Sequence, residues 1–203
     1  MVKKHRDSQR RYYVDGGIYF VTCKTLNNYP FFREQVFCDL FLENLRVCKE
    51  LKRFRLFAWV LVYDHFHLLL QPGERFNLSK VMQFLKRHVT WDVNWIFNPN
   101  EGAIRESRLR GGGYAEHERL IIAHDEKLKS FQTQFLQTHL TQNPHPTFRW
   151  QKSYYDHITR NDMDFGYHFE YIKWNPVKHK MPSEWPYVFT NPEYQYFTDQ
   201  LEL

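Results

Sequence analysis

Two hydrophobic spacings alternate along the chain and predict its secondary structure. Apolar runs rich in β-branched and aromatic residues predict strands, whereas apolar residues three or four positions apart predict helices. The predicted strands are 18–26, 55–62, 65–71 and 148–160, and the predicted helices are 33–52, one beginning at 78, 116–140 and 161–175. The chain therefore mixes both kinds of element, which favours an α+β fold.

The order of these elements narrows the fold further. They run β-α-β-β-α, then an insertion, then β-α, so the core without the insertion is β-α-β-β-α-β. This is the split, ferredoxin-like arrangement. We expect a ferredoxin-like or RRM-like antiparallel sheet with helices on one face, which leaves the other face free to bind a ligand.

The length of 203 residues matches one domain, 1–203, carrying three additions. A basic arm occupies 1–16 and ends at a glycine turn. Residues 98–147 break the pattern and are interpreted as a helical insertion, with a basic glycine-rich loop at 105–113. The insertion is expected to contact substrate, contact a second subunit or only pack. The tail from about 177 to 203 carries several prolines and is predicted to be irregular.

One stretch on a central strand holds the most specific pattern, His65-Phe66-His67. Successive side chains of a strand point to opposite faces, so the two histidines share one face and Phe66 belongs to the core. Two imidazoles on one face can bind one divalent metal. On this stretch alone, the alternative is a solvated sheet face.

A second stretch lies on the C-terminal helix, where Tyr171 and Asn175 are one turn apart on the same face. If that face meets the two histidines, His65, His67 and Asn175 can bind Mg²⁺ or Mn²⁺. Tyr171 is then the candidate nucleophile for a DNA phosphate. A phenol leaves more readily than an alkoxide, so a phosphotyrosine link is reversible, which fits strand transfer better than hydrolysis.

The charge and the aromatic content indicate the kind of partner. The chain has a net charge of +5 and 18% aromatic residues, and a basic, aromatic-rich domain suits a polyanion with unstacked bases. The basic arm is interpreted either as a solvated tail or as a nucleic-acid contact. The candidate DNA-binding residues are Arg10, Arg11, Lys80, Lys86, Arg87, Arg160 and Lys178.

The three cysteines, Cys23, Cys38 and Cys48, are odd in number and have no metal-site spacing. We interpret them as reduced core residues. No apolar run follows the basic N-terminus, and none reaches transmembrane length. We therefore expect a cytoplasmic protein with no membrane partner, associated with the nucleoid when it is bound to DNA.

Three blocks of this sequence resemble the single-tyrosine HUH nuclease family, in which HUH stands for His-hydrophobic-His. Residues 65–67 match that motif. The aromatic segment 150–160, with its Asp-His pair and closing Arg160, matches a second block, and Tyr-Ile-Lys-Trp-Asn-Pro-Val-Lys at 171–178 matches a third. The resemblance covers 11–97 and 148–190, without the insertion. Within that family, the sequence most resembles the REP-associated tyrosine transposases and their insertion-sequence relatives.

This resemblance implies roles for individual residues. Tyr171 is implied as the nucleophile, and His65, His67 and Asn175 as metal ligands. The implied reaction cleaves single-stranded, hairpin-forming chromosomal repeats, leaving a 5′-phosphotyrosine and a free 3′-hydroxyl. Two positions depart from the family pattern: Tyr63 stands where proline is common, and Lys180 where glycine is common.

Two other functions remain open at this point. One is a non-catalytic or domesticated single-stranded nucleic-acid-binding module on the same fold. The other is a metal-dependent phosphoesterase that uses water and tolerates loss of Tyr171. A homodimer and a monomer are both open, as is an active site in cis or in trans. Because imidazole must be neutral to bind metal, activity is expected to fall below about pH 6.5.

Overall fold

The computed structural model describes residues 13–97, 117–139 and 144–194. Arg10, Arg11 and the loop 105–113, for which the sequence makes predictions, lie outside these residues. The strands are β1 (Tyr19–Lys24), β2 (Arg55–Val62), β3 (His65–Gln71), β4 (Tyr155–Ile158) and β5 (Val188–Thr190). The helices are α1 (Gln35–Lys52), α2 (Leu78–Phe97), α3 (Glu118–Thr138), α4 (Asp162–Lys173) and α5 (Asn175–Lys178).

The strands form one antiparallel sheet in the order β4-β1-β3-β2-β5. The first four strands have the order expected of the ferredoxin-like topology, which confirms the predicted α+β fold. β3 lies at the centre and joins β2 through the two-residue turn at Tyr63 and Asp64. The His-x-His motif therefore sits on the central strand.

Helices cover both faces of the sheet. On one face, α1, α2 and α3 share a core with Phe66. The prediction of helices on one face is confirmed for α1 and α2, which follow the first and third strands. α4 packs on the other face, where the sequence placed no helix. The reason is its apolar stripe of Phe165, Phe169 and Ile172, which is buried there with Phe20 and Leu69.

The described residues of the insertion are 117–139 and 144–147, and they include the helix α3, which lies within the predicted 116–140. Its apolar residues Ile121, Leu128 and Phe135 are buried in the same core as α1 and α2. Packing is thus one function of the insertion. The three cysteines are also buried and free, as the sequence indicated, and no helix in the described ranges is long and apolar enough to cross a membrane.

Side-chain caps set the start of two helices. The Asn77 carboxamide oxygen accepts a hydrogen bond from the Lys80 backbone N–H at 3.1 Å, which is the contact of an N-cap. Asn161 caps α4 in the same way, accepting from the Asp164 N–H at 2.9 Å.

Two predictions near the C-terminus were wrong in extent. The strand predicted over 148–160 is regular only in β4, because Phe148 is buried in the core and Trp150 donates its indole N–H to the Lys86 carbonyl, with an isolated bridge to Thr25. The tail predicted to be irregular contains α5 and β5. β5 is a three-residue edge strand that pairs with β2, too short to give a two-residue period.

Candidate active site

The central strand β3 presents both histidines to the face that α4 covers. Phe66 points into the opposite core and is fully buried, because side chains alternate along a strand. His65 and His67 are each only 3% exposed. This burial does not fit a solvated sheet face, the alternative that the sequence left open.

Hydrogen bonds orient both imidazoles through the same ring nitrogen. His65 donates from Nδ1 to the Asp64 carboxylate at 2.6 Å, and His67 Nδ1 is hydrogen-bonded to the Thr22 hydroxyl at 2.8 Å. Thr22 lies directly opposite His67 across the β1–β3 pair. The His67 Nε2 atom is buried without a hydrogen-bond partner in the described ranges. Holding one ring nitrogen and leaving the other open is the usual arrangement of a metal-binding histidine.

Burial also keeps His67 in the form that binds metal. Burial lowers its pKa well below the ordinary 6.5, and the neighbouring His65, His179 and Lys178 lower it further. His67 is therefore neutral at neutral pH. For Asp64, burial would raise the pKa, but the hydrogen bond from His65 outweighs this and lowers it. Asp64 is thus a charged acceptor that holds the His65 ring.

Asn175 is the first residue of α5 and is completely buried. Neither its carboxamide oxygen nor its nitrogen has a hydrogen-bond partner among the described residues. Pro176 follows in the first helical turn, where its missing N–H is tolerated. A buried amide without partners carries a free-energy cost, and a ligand that binds the oxygen would remove part of it.

Tyr171 lies in the last turn of α4, next to the histidines. Its ring is 5.2 Å from the His67 ring, nearly perpendicular to it, and 5.7 Å from the Phe20 ring. Lys178 donates from Nζ to the Tyr171 hydroxyl at 3.3 Å and lies 4.6 Å from the centre of the ring. Tyr171 is partly exposed, so a substrate can reach the hydroxyl.

His179 is a residue of this site to which the sequence analysis gave no role. Its ring is 4.8 Å from the His65 ring, and burial lowers its pKa, with His65 adding to the shift. Tyr171, Asn175 and His179 follow one another at intervals of four residues. That spacing is the signal that could have identified His179.

The candidate DNA-binding residues do not form one surface. Lys80, Lys86 and Arg87 line a groove of about 730 Å³ beside α2, together with Arg149, Lys152, Trp91 and Tyr154. Lys178 lies at Tyr171. Arg160 precedes α4 and lines a different groove, at the opposite end of that helix from Tyr171.

A carboxylate with two histidines lies at the start of α4. Asp164 is 2.9 Å from His157 Nε2 and 3.3 Å from His168 Nε2, and it also accepts the Arg160 backbone N–H at 3.0 Å. Their ligand atoms are close enough to hold a metal ion. His168 stacks on Phe20 at 4.3 Å, so this cluster also supports the helix that carries Tyr171.

Comparisons with curated proteins and with solved structures find proteins similar to this chain. No protein-family model matches the chain. It is 24% identical over 185 residues to a Haemophilus influenzae protein assigned as a REP-associated tyrosine transposase, covering 88% of this chain and 82% of the relative. It is 25% identical over 186 residues to the REP-associated tyrosine transposase of Escherichia coli K12, covering 88% and 79%.

A solved structure shares the fold. It is a REP-associated tyrosine transposase bound to a REP hairpin, with a TM-score of 0.56 and 21% identity, covering 90% of this chain and 82% of that one. At 21% identity, this similarity shows a shared fold. Along most of its length in sequence, and in fold, the chain is therefore similar to the REP-associated tyrosine transposases.

Proposed function

We propose that this protein is a metal-dependent single-stranded DNA endonuclease and strand transferase that works through a 5′-phosphotyrosine intermediate. The observation that carries the proposal is the position of the Tyr171 ring, 5.2 Å from the His67 ring. One turn further along is the buried Asn175, whose amide has no hydrogen-bond partner among the described residues. Two segments about a hundred residues apart in the sequence thus meet in one place. The proposed substrate is hairpin-forming repeat DNA.

The residues present fit a divalent cation. The open Nε2 of His67, the orientation of His65 by Asp64 and the unpartnered Asn175 amide are what a ligand set requires. We propose that His65, His67 and Asn175 hold Mg²⁺ or Mn²⁺. When bound, the cation would polarise a non-bridging phosphate oxygen and offset the charge of the transition state.

In the proposed step, the Tyr171 oxygen forms a bond to phosphorus while the bond from phosphorus to the 3′ oxygen breaks. The phenol proton is lost and the departing 3′ oxygen gains one, which leaves a 5′-phosphotyrosine and a 3′-hydroxyl. Lys178, 3.3 Å from the phenol oxygen, stabilises the negative charge that develops there. The reverse attack by a 3′-hydroxyl rejoins strands without an external energy source.

The proposed partner is a DNA hairpin with a single-stranded flank. The similar solved protein is bound to a REP hairpin. The groove beside α2 offers cations from Lys80 and Arg87 and aromatic faces from Trp91 and Tyr154, which suits phosphates and unpaired bases. We propose that the groove holds DNA while Tyr171 cleaves it.

The test uses 5′- and 3′-end-labelled single strands that span the hairpins flanking the gene, incubated with Mn²⁺ and run on a denaturing protein gel. We expect label to migrate with the wild-type protein and to be lost in Tyr171→Phe. The matched control is Tyr167→Phe, since Tyr167 lies one turn earlier on α4 and is 62% exposed. Tyr167→Phe is expected to retain the adduct.

Two outcomes would overturn the proposal in different ways. Cleavage by Tyr171→Phe at the wild-type rate, abolished in His65→Ala with His67→Ala, would indicate a phosphoesterase that uses water. Metal-independent binding across several hairpins, with no adduct and no cleavage, would indicate a binding module. The basic and aromatic groove favours binding in either case.

A further inference from the structure

A second set of metal-binding side chains lies where the insertion helix returns to the core, on three segments that the proposed reaction does not use. Glu34 immediately precedes α1, His139 follows α3, and His145 follows Pro144. The Nε2 atoms of both histidines face the same oxygen, Oε1 of Glu34, each at 3.5 Å. The three ligand atoms all lie within 4.8 Å of one another.

These distances fit metal coordination better than direct ion pairs. A charged N–H···O hydrogen bond is about 2.7–2.9 Å long, shorter than the 3.5 Å seen here. Two ligands that are each about 2.0–2.1 Å from a tetrahedral zinc ion lie about 3.4 Å apart. The two measured distances, from each histidine Nε2 to Glu34 Oε1, therefore match the ligand–ligand distances of a tetrahedral site with an ion between the three atoms.

The histidine rings are held in the required orientation. His145 is hydrogen-bonded from Nδ1 to the Tyr29 hydroxyl at 3.2 Å, and its ring packs against Phe37 at 5.4 Å. The His139 ring packs against Phe135 at 4.6 Å. With Nδ1 of His145 engaged, Nε2 is the atom directed at Glu34, as in a metal site whose ligands are fixed by outer contacts.

The environment also allows an ion to enter and stay. The Glu34 side chain is 32% exposed, whereas those of His139 and His145 are 18% and 9% exposed. Two imidazoles and a carboxylate form a donor set that suits Zn²⁺, with a fourth position left for water.

We propose that Glu34, His139 and His145 bind one Zn²⁺, which fastens the end of α3 to the start of α1. The site is separate from Tyr171 and its histidines, and the inference does not depend on the proposed reaction. An ion that binds only the folded state stabilises it. The expected role is to hold the insertion on the core.

The test is a metal titration of the whole protein after chelator treatment and dialysis, with Zn²⁺ or Co²⁺ as the probe. The variants are Glu34→Gln and His139→Gln, which change partly exposed side chains, and the comparison is His65→Ala with His67→Ala. We expect the wild type with Co²⁺ to show the intense visible absorption of a tetrahedral Co²⁺ site. This absorption should disappear when added Zn²⁺ displaces the Co²⁺. Both single variants should lose this signal, and the double variant should retain it.

A second measurement reads stability rather than spectra. With Zn²⁺ at about 100 times its Kd, the melting temperature of the wild type should rise by about 5–10 °C. The rise should persist in the double variant and disappear in Glu34→Gln. A Co²⁺ signal and a thermal shift that are unchanged in both single variants would overturn this site, and so would a wild type that binds neither ion. Neither outcome bears on cleavage by Tyr171.

Discussion

At the scale of single residues, the orientation of the two histidine rings is set by hydrogen bonds to neighbouring side chains. Thr22 on β1 and Asp64 in the β2–β3 turn hold the two rings. The sequence shows that His65 and His67 share a face, because that follows from strand geometry alone. It does not show which residues hydrogen-bond them, because the register of β1 against β3 depends on the whole sheet.

The pKa of His67 leads to a prediction about metal affinity. Because the pKa lies well below 6.5, protons compete with metal at this residue only in more acidic solution. We expect Mn²⁺ affinity to hold at pH 6.5 and to fall as the pH drops below it. Calorimetric titration from pH 4 to 8 measures this, and an affinity that changes with pH between 6.5 and 8 would contradict ligation by a neutral His67.

Lys178 leads to a prediction about rate. Replacing it by Met removes the cation 3.3 Å from the phenol oxygen, and we expect adduct formation on bound DNA to slow by about 10² or more. Lys178→Arg should recover part of the rate. Lys173→Met is the matched control, because Lys173 pairs with Glu170 at 3.2 Å instead. Equal single-turnover rates for the two Met variants would contradict this role.

Lys180, which stands where glycine is common in the family that the sequence resembles, has a left-handed backbone conformation. Lys180 has a φ of +53°, in the left-handed region that glycine adopts without strain. We expect Lys180→Gly to be neutral or stabilising, and Lys180→Val to destabilise by about 1–2 kcal/mol. Urea unfolding of the two variants measures this, and a Val variant as stable as the Gly variant would count against it.

At the scale of elements, the insertion is attached through a buried polar cluster. Glu43 on α1 is only 5% exposed and accepts from Lys127 of α3 at 2.7 Å, and His124 of α3 is 3.1 Å from Asp92 of α2. The spacing of apolar residues along α1 does not mark Glu43 as buried, because two of its partners, His124 and Lys127, come from a helix about eighty residues away.

This cluster predicts a stability effect. Burial would raise the pKa of Glu43, but the His124 imidazole 3.6 Å away and the hydrogen bonds from Arg46 and Lys127 outweigh it and lower the pKa. Its contribution is therefore present at neutral pH and is lost as the pH falls below the ordinary carboxyl range. Glu43→Ala should lower the free energy of unfolding by about 3–5 kcal/mol. Lys127→Ala, at a half-exposed position, should cost at most about 1 kcal/mol.

Urea unfolding at pH 7 compares these two variants. A Glu43→Ala protein that loses no more stability than Lys127→Ala would contradict a buried, charged Glu43. The same measurement at pH 4 should show a smaller difference between Glu43→Ala and the wild type.

Local signals explain which elements were predictable. β2 and β3 have the predicted bounds, because both are apolar runs with turn residues on each side. α2 and α4 begin close to their predicted starts at 78 and 161, where asparagine side chains cap both helices. The position of α4 on the second face was not predicted, because an apolar stripe shows that a helix is buried without showing which surface buries it.

At the scale of the whole molecule, the sheet separates the larger hydrophobic core from the candidate active site. α1, α2 and α3 form the larger core on one face, and α4 with α5 places Tyr171 over the histidines on the other. The site therefore needs residues from near 22, 64–67 and 171–179 at once. The sequence alone identified the histidine pair and the tyrosine–asparagine pair as site residues. The positions of Thr22 and His179 beside them are seen only in the folded structure.

The groove beside α2 predicts a separation of binding from chemistry. Lys80→Ser with Arg87→Ser should weaken hairpin binding and reduce the slope of log affinity against log salt by about 1–2. Adduct formation at saturating DNA should change little. The matched control is Arg119→Ser with Lys129→Ser, which removes two exposed charges from α3. Equal salt slopes for the two double variants would contradict a role for this groove.

The measurement that tests the central claim most directly is mass spectrometry of the trapped adduct. The protein is incubated with Mn²⁺ and an unlabelled hairpin strand, then digested with nuclease and protease, and the peptides are sequenced. The account predicts one peptide that contains Tyr171 and carries a nucleotide through its 5′ phosphate. A nucleotide on another residue, or cleaved DNA with no nucleotide on any peptide, would contradict it.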